Sequence, residues 1–132
     1  MTMTIKNVYL ALCLLLLVGC EITPFYDDLP ATPQPLAPSD GITILNNATV
    51  TFQWQSVPRA TSYEFHVYDF THQKDMKYLT VDLHPSDICV ADVCSLEKTI
   101  AMEPSLHHAW RVRAVNNVGG SIWSRSGFVV NP

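Results

Sequence analysis

The chain has 132 residues, with eight basic and twelve acidic side chains, five histidines and a formal charge of −4. Nearly half of it is hydrophobic and 15% is charged, which is enough apolar sequence for one buried core and little more. The few bases are scattered, whereas a nucleic-acid binder needs clustered Lys and Arg to displace counterions from phosphate, so neither DNA nor RNA is an expected partner.

Lys6 precedes an apolar run from Val8 to Gly19. About a dozen residues are too few for a helix crossing a bilayer, which takes roughly 20. The order of base, apolar run and small residues is that of an export signal. The run ends in Leu17-Val18-Gly19-Cys20, and this tetrapeptide resembles the lipobox of bacterial lipoproteins. The resemblance implies a signal peptide over residues 1–19 and acylation of the Cys20 thiol with palmitate-like chains, Cys20 then becoming the first mature residue. Only cysteine offers the lipid donor a sulfur nucleophile, and small Gly19 leaves the peptidase room at the bond. Each buried methylene contributes about 0.8 kcal/mol, so several acyl chains hold the protein firmly on a membrane. Glu21 follows in place of the aspartate that retains enterobacterial lipoproteins at the inner membrane. The expected location is therefore the bacterial cell envelope, lipid-anchored, with the outer membrane favoured over the inner.

Pro24, Pro30, Pro33 and neighbouring acids mark residues 20–34 as a proline-rich tether, followed by a domain over 35–132. Proline-rich sequence favours polyproline II at about 3.1 Å per residue, a semi-rigid spacer.

From Ala48 the chain alternates. Val50, Phe52 and Trp54 are apolar and Thr51, Gln53 and Gln55 polar, the period of a half-buried strand. The pattern returns with Tyr63, Phe65 and Val67 on one face and Glu64, His66 and Tyr68 on the other. Shorter β-like runs follow at Tyr78 to Leu83 and Ser95 to Ala101. A third strong copy sets His108, Trp110, Val112 and Ala114 against Ala109, Arg111, Arg113 and Val115, and "GFVVN" closes the chain. No segment sustains a helical period. Half-apolar sheets bury their faces against each other, so the expected fold is all-β, a small antiparallel β-sandwich.

Between these strands lie Cys89 and Cys94, an even remainder once Cys13 leaves with the leader and Cys20 is acylated. In an exported protein that suggests a disulfide across a turn. A redox pair of the thioredoxin kind wants two intervening residues rather than four, and zinc wants further ligands at matched spacing. Thiols kept reduced in the envelope are the remaining alternative.

The marks "VTFQW", "RATSYEFHV", "WRVRAVNNVGG" and "SIWS" together resemble a fibronectin type III domain of bacterial envelope proteins, and the cysteine pair resembles a bridge common in such domains. The resemblance implies that the sandwich is immunoglobulin-like, an antiparallel β-sandwich of about seven strands. One departure matters. The family's Leu-x-Pro-Gly-x-x-Tyr corner reads "MEPSLHH" here, with Met102 at the leucine, Ser105 at the glycine and His108 at the tyrosine. His108 is expected to donate to backbone from the core.

No nucleophile motif, phosphate loop or carboxylate pair is present, so the protein is not expected to be an enzyme and no cofactor is implied. The histidines show no ligand spacing, and adjacent His107 and His108 point to opposite faces of a strand, so no metal site is expected. The candidate binding surface is Trp123 with Arg111 and Arg113, near Tyr68 and Tyr78. "GGSIWS" resembles the second half of the Trp-Ser-x-Trp-Ser box of cytokine-receptor domains, with Gly120 at the first tryptophan. Two functions stay open: a scaffold module contacting an envelope or extracellular protein, or a glycan-binding, adhesin-like domain using exposed aromatics. Burial discriminates between them: if Trp123 is covered by Arg111 or Arg113, the sugar platform loses its best member.

Overall fold

A computed structural model describes residues 28–69, 74–104 and 107–132, with the backbone alone over 74–78. The expected signal peptide, Cys20, residues 20–27 of the tether, His72 and Ser105 lie outside the described residues. The strands are β1 (Pro35–Ala37), β2 (Ile42–Leu45), β3 (Ala48–Gln55), β4 (Ser62–Asp69), β5 (Lys74–Leu83), β6 (Cys89–Val90), β7 (Val93–Ile100), β8 (His107–Val115) and β9 (Ser124–Asn131). One short helix, α1 (Pro85–Ile88), leads from β5 to β6. One sheet has the order β1-β3-β7-β6 and the other β2-β9-β8-β4-β5. This is the all-β sandwich expected from the alternation, of the immunoglobulin-like kind that the resemblance implies. It has nine described strands rather than about seven, because the first edge is divided between the sheets as β1 and β2 and the disulfide turn carries the two-residue β6.

The pleat explains the core. Phe52 and Trp54 of β3 point inward, as do Tyr63, Phe65 and Val67 of β4, Trp110, Val112 and Ala114 of β8, and Phe128 and Val130 of β9. Phe52 sits where the sheets meet, with ring centroids 4.9 Å from Phe65 and 5.4 Å from Trp110, while Trp54 packs edge-on against Tyr63 at 5.6 Å. Such tilted and edge-on contacts suit the aromatic quadrupole. All pairings are antiparallel except β2 with β9, where Ile42 to Leu45 run parallel to Phe128 to Asn131. The passage from β1 to β2 is held by the Pro38 carbonyl, which accepts from Trp110 Nε1 at 3.3 Å and Ser126 Oγ at 3.0 Å.

The pairings also assign the loops to two poles. Gln55 ends β3 opposite Val93, Val115 ends β8 opposite Ser62, and Leu83 ends β5 opposite Tyr63. Loops 56–61, 84–92 and 116–123 therefore share one pole, tied together by the Ser56 amide on the Asp92 carbonyl and the Val57 amide on the Tyr63 hydroxyl. Residues 28–34, the end of the expected tether, lie against this same pole. Pro30 and Pro33 are buried, Asn116 Nδ2 donates to the Asp28 carbonyl at 2.7 Å, and Arg59 reaches the Leu29 carbonyl at 3.4 Å. The Gln55 amide donates to the Gln34 carbonyl at 2.8 Å. At the opposite pole, His108 is buried and its Nε2 donates to the Glu103 carbonyl at 3.1 Å, the role expected of it in place of the corner tyrosine.

Cys89 and Cys94 form a disulfide between β6 and β7, with Cα atoms 3.8 Å apart. Ala91, at φ 51, supplies the left-handed backbone for the turn between them. So small a loop contributes about 2 kcal/mol in the chain-entropy picture, and reduction should lower unfolding free energy by that amount in urea titration while leaving the domain folded. Phe52→Ala, which empties the contact between sheets, should cost about 3 to 5 kcal/mol by the same measurement.

Candidate functional site

The outer face of the five-stranded sheet gathers the residues that the sequence singled out. On β4 and β8 the inward residues alternate with Glu64, His66 and Tyr68 on one strand and Arg113, Arg111 and Ala109 on the other, paired in that order across the ladder. The segment after β8 then folds back over this face. Gly120 bridges Val115, Ser121 Oγ accepts from the Ala114 amide at 3.1 Å, and Ser124 Oγ donates to the Val112 carbonyl at 3.1 Å. Between these ties Trp123 is laid onto the arginines.

The result is a closed stack. The Arg111 and Arg113 guanidinium carbons lie 4.5 Å and 4.8 Å from the Trp123 ring centroid, and Arg111 also lies 5.4 Å from the ring of Tyr68. Arg113 Nε donates to Glu64 Oε2 at 2.7 Å, a charge-assisted bond that fixes the guanidinium plane. Arg111 Nε donates to His66 Nδ1 at 3.3 Å, and the His66 ring sits 4.3 Å from Trp123. Each cation–π contact on an exposed face contributes about 0.5 to 1 kcal/mol. Gly120 belongs to the stack as well. A Cβ there would meet the Arg113 side chain at 3.3 Å, so a larger residue requires the guanidinium to give by a few tenths of an ångström.

Sequence reading brought Arg111, Arg113, Tyr68 and Trp123 to this face, and the structure joins them. Tyr78 pairs with Val67 across the β4–β5 ladder, and its side chain lies outside the described residues. The alternation puts His66 on the outward face, where an exposed surface residue is expected, and this is corrected: it is 5% exposed beneath Trp123. Glu64 was also missed as a partner. The available signal was the outward series Glu64, His66, Tyr68 facing an outward series of two arginines, an acid and an acceptor opposite two cations.

His66 is held as a neutral acceptor. Burial first, and the Arg111 cation second, push its pKa down from the ordinary 6.5 to about 4. A second feature of the same sheet lies toward the other pole. There Gly127 and Ala109 floor a groove of about 320 Å³ bordered by Asp40, His107, Arg125 and Val129. Asp40 Oδ1 accepts from the Gly127 amide at 2.7 Å, and a Cβ on Gly127 would come within 3.0 Å of that oxygen. Among the described residues no group of three or more His, Cys, Asp or Glu could hold a metal ion. The outer edge of this sheet is β5, on which Leu79 and Val81 are about half exposed.

No family model matches the chain, and no curated protein is similar to it. Three similar solved structures carry fibronectin type III names. FN3tt is 17% identical with a TM-score of 0.49, over 76% of this chain and 97% of its own. An Fn3-like protein from Clostridium thermocellum is 13% identical with a TM-score of 0.47, over 78% of this chain and 95% of its own. The FN1-FN3 domains of chicken CNTN1 are 20% identical with a TM-score of 0.48, over 76% of this chain and 34% of theirs.

The depressed His66 pKa gives a signed pH dependence. The unfolded chain takes up the imidazole proton before the folded one, so this contribution to stability is fully present above pH 6.5 and is lost as pH falls toward 4. Urea titrations at pH 7 and pH 5 should show a loss in the parent chain that is largely absent in His66→Gln, whose amide oxygen still accepts from Arg111.

Proposed function

We propose that the protein is a membrane-anchored envelope lipoprotein whose single fibronectin type III-like domain is a non-catalytic module for contact with another envelope or extracellular protein. The observation that carries the choice of partner is the packing of Trp123 onto the charged and ring side chains of the sheet. Two guanidinium groups and the His66 ring lie within 5 Å of its indole. A sugar platform needs a free, unengaged aromatic face, and half-buried Trp123 is instead engaged in holding the outer face together. The β5 edge offers backbone and apolar side chain, with Leu79 and Val81 exposed beside a strand side that has no partner strand among the described residues. An extended segment of a partner adds to such an edge through main-chain hydrogen bonds, with alternate side chains setting specificity. The lipobox-like Cys20 and the export signal before it support the anchor.

Intact mass of the membrane-extracted protein should match a chain that begins at acylated Cys20, and Cys20→Ser should release the domain from carbonate-washed membranes. A soluble, unacylated chain in the parent would overturn the anchor. A photo-crosslinker at Leu79 should trap one envelope protein in cells where the same group at Glu97, exposed on β7, does not. A glycan array bound only when Trp123 is intact would overturn the protein-partner reading.

A further inference from the structure

The pole that receives the N-terminal segment has an unexplained surface. Among the described residues, Val90 is 83% exposed, Ile122 77% and Val118 37%. All three sit in the loops assigned to that pole, Val90 at the disulfide turn and the other two after β8. Ile122 neighbours Trp123, whose ties through Ser121 and the arginines hold this loop in one shape. A β-branched apolar side chain held outward on a stiff loop does not bury itself within the domain.

The chain that leads to this pole says what covers it. Residue 28 is fixed there by Asn116 and faces Arg59 across 4.0 Å, and Leu29 packs against Gly119, where a Cβ would come within 3.0 Å of its side chain. Seven residues lie between Cys20 and Asp28, and the eight steps from one to the other span at most about 28 Å. The nine residues of β8 carry the opposite pole about 30 Å further away. An anchor at Cys20 thus holds the pole with the exposed valines and isoleucine within about 28 Å of the lipid, and the opposite pole approaches it only if the tether doubles back along the whole domain.

We propose that loops 84–92 and 116–123 form the membrane-facing end of the domain, with Ile122, Val118 and Val90 seated in the headgroup region of the bilayer that holds Cys20. The proposal rests on the lipid anchor put forward above. The charge of the pole bears on the kind of contact. Asp28, Asp87 and Asp92 outnumber Arg59 among its exposed charges, so attraction to anionic lipid does not drive it, and the contact is apolar. The groove bordered by Asp40, His107 and Arg125 then faces away from the membrane.

The test uses the full-length chain, extracted from membranes and reconstituted in zwitterionic phosphatidylcholine vesicles with or without bromine in the acyl chains. Flotation with the vesicles reads the anchor by itself. Ile122→Trp should then lose fluorescence by about twofold or more in brominated vesicles relative to unbrominated ones, because tryptophan at the interface meets the quencher. Leu45→Trp, at the opposite pole, should match the unsubstituted chain. A second measurement needs no substitution: amides of residues 116–122 should exchange more slowly in the vesicle-bound chain than in soluble Cys20→Ser. Flotation with equal quenching at the two positions and no slowing of exchange would refute this orientation while leaving the anchor standing. Failure to float would remove the anchor and the proposal together.

Discussion

The register between β4 and β8 is the constraint on which both faces of the sandwich depend. Tyr63 lies opposite Ala114, Phe65 opposite Val112 and Val67 opposite Trp110, and these six residues form much of the core. The residues between them place Glu64 opposite Arg113 and His66 opposite Arg111. Because side chains alternate with period two, a slip by one residue would turn the aromatics to solvent and bury the charges. Core packing and the outer stack therefore select one register by separate physics, one through apolar burial and the other through charge and ring contacts. Trp123 closes this arrangement from outside, so the chain between β8 and β9 reports on a pairing made elsewhere.

The two poles divide the remaining labour. At one, backbone hydrogen bonds and buried Pro30 and Pro33 bind the incoming chain to the loops after β3 and β8. At the other, His108 satisfies the Glu103 carbonyl in the absence of a corner tyrosine, and its Nδ1 finds no partner among the described residues. Replacing phenol by imidazole thus keeps the hydrogen bond and leaves one buried acceptor unused, which costs about 1 to 3 kcal/mol.

Strands β3, β4 and β8 were legible because each combines strict alternation with large apolar residues, and the local period of two suffices to orient them. Strands β1 and β2 were not. Pro33, Pro35 and Pro38 carry the composition of a spacer, and composition does not record that proline packs well on an edge where its missing amide is no loss. The candidate surface was legible in part. Arg111, Arg113 and Tyr68 follow from alternation alone, whereas the burial of His66 depends on Trp123, which arrives from 57 positions along the chain. Gly120 looked like the loss of a stacking tryptophan, yet it is the space in which Arg113 lies. Local pattern fixes the direction of a side chain and says nothing of what comes to rest on it.

The parallel pairing of β2 with β9 has a mechanical meaning. The described chain enters at one pole and its last strand ends at the other, so tension between the ends draws β2 and β9 in opposite directions along their shared ladder. Hydrogen bonds across a ladder loaded this way are sheared together, rather than peeled one at a time as in a hairpin pulled open from its end. Forced unfolding is governed by the unfolding barrier. A short parallel ladder beside the C-terminal strand therefore acts as a tensile lock for any load carried from one end of the domain to the other.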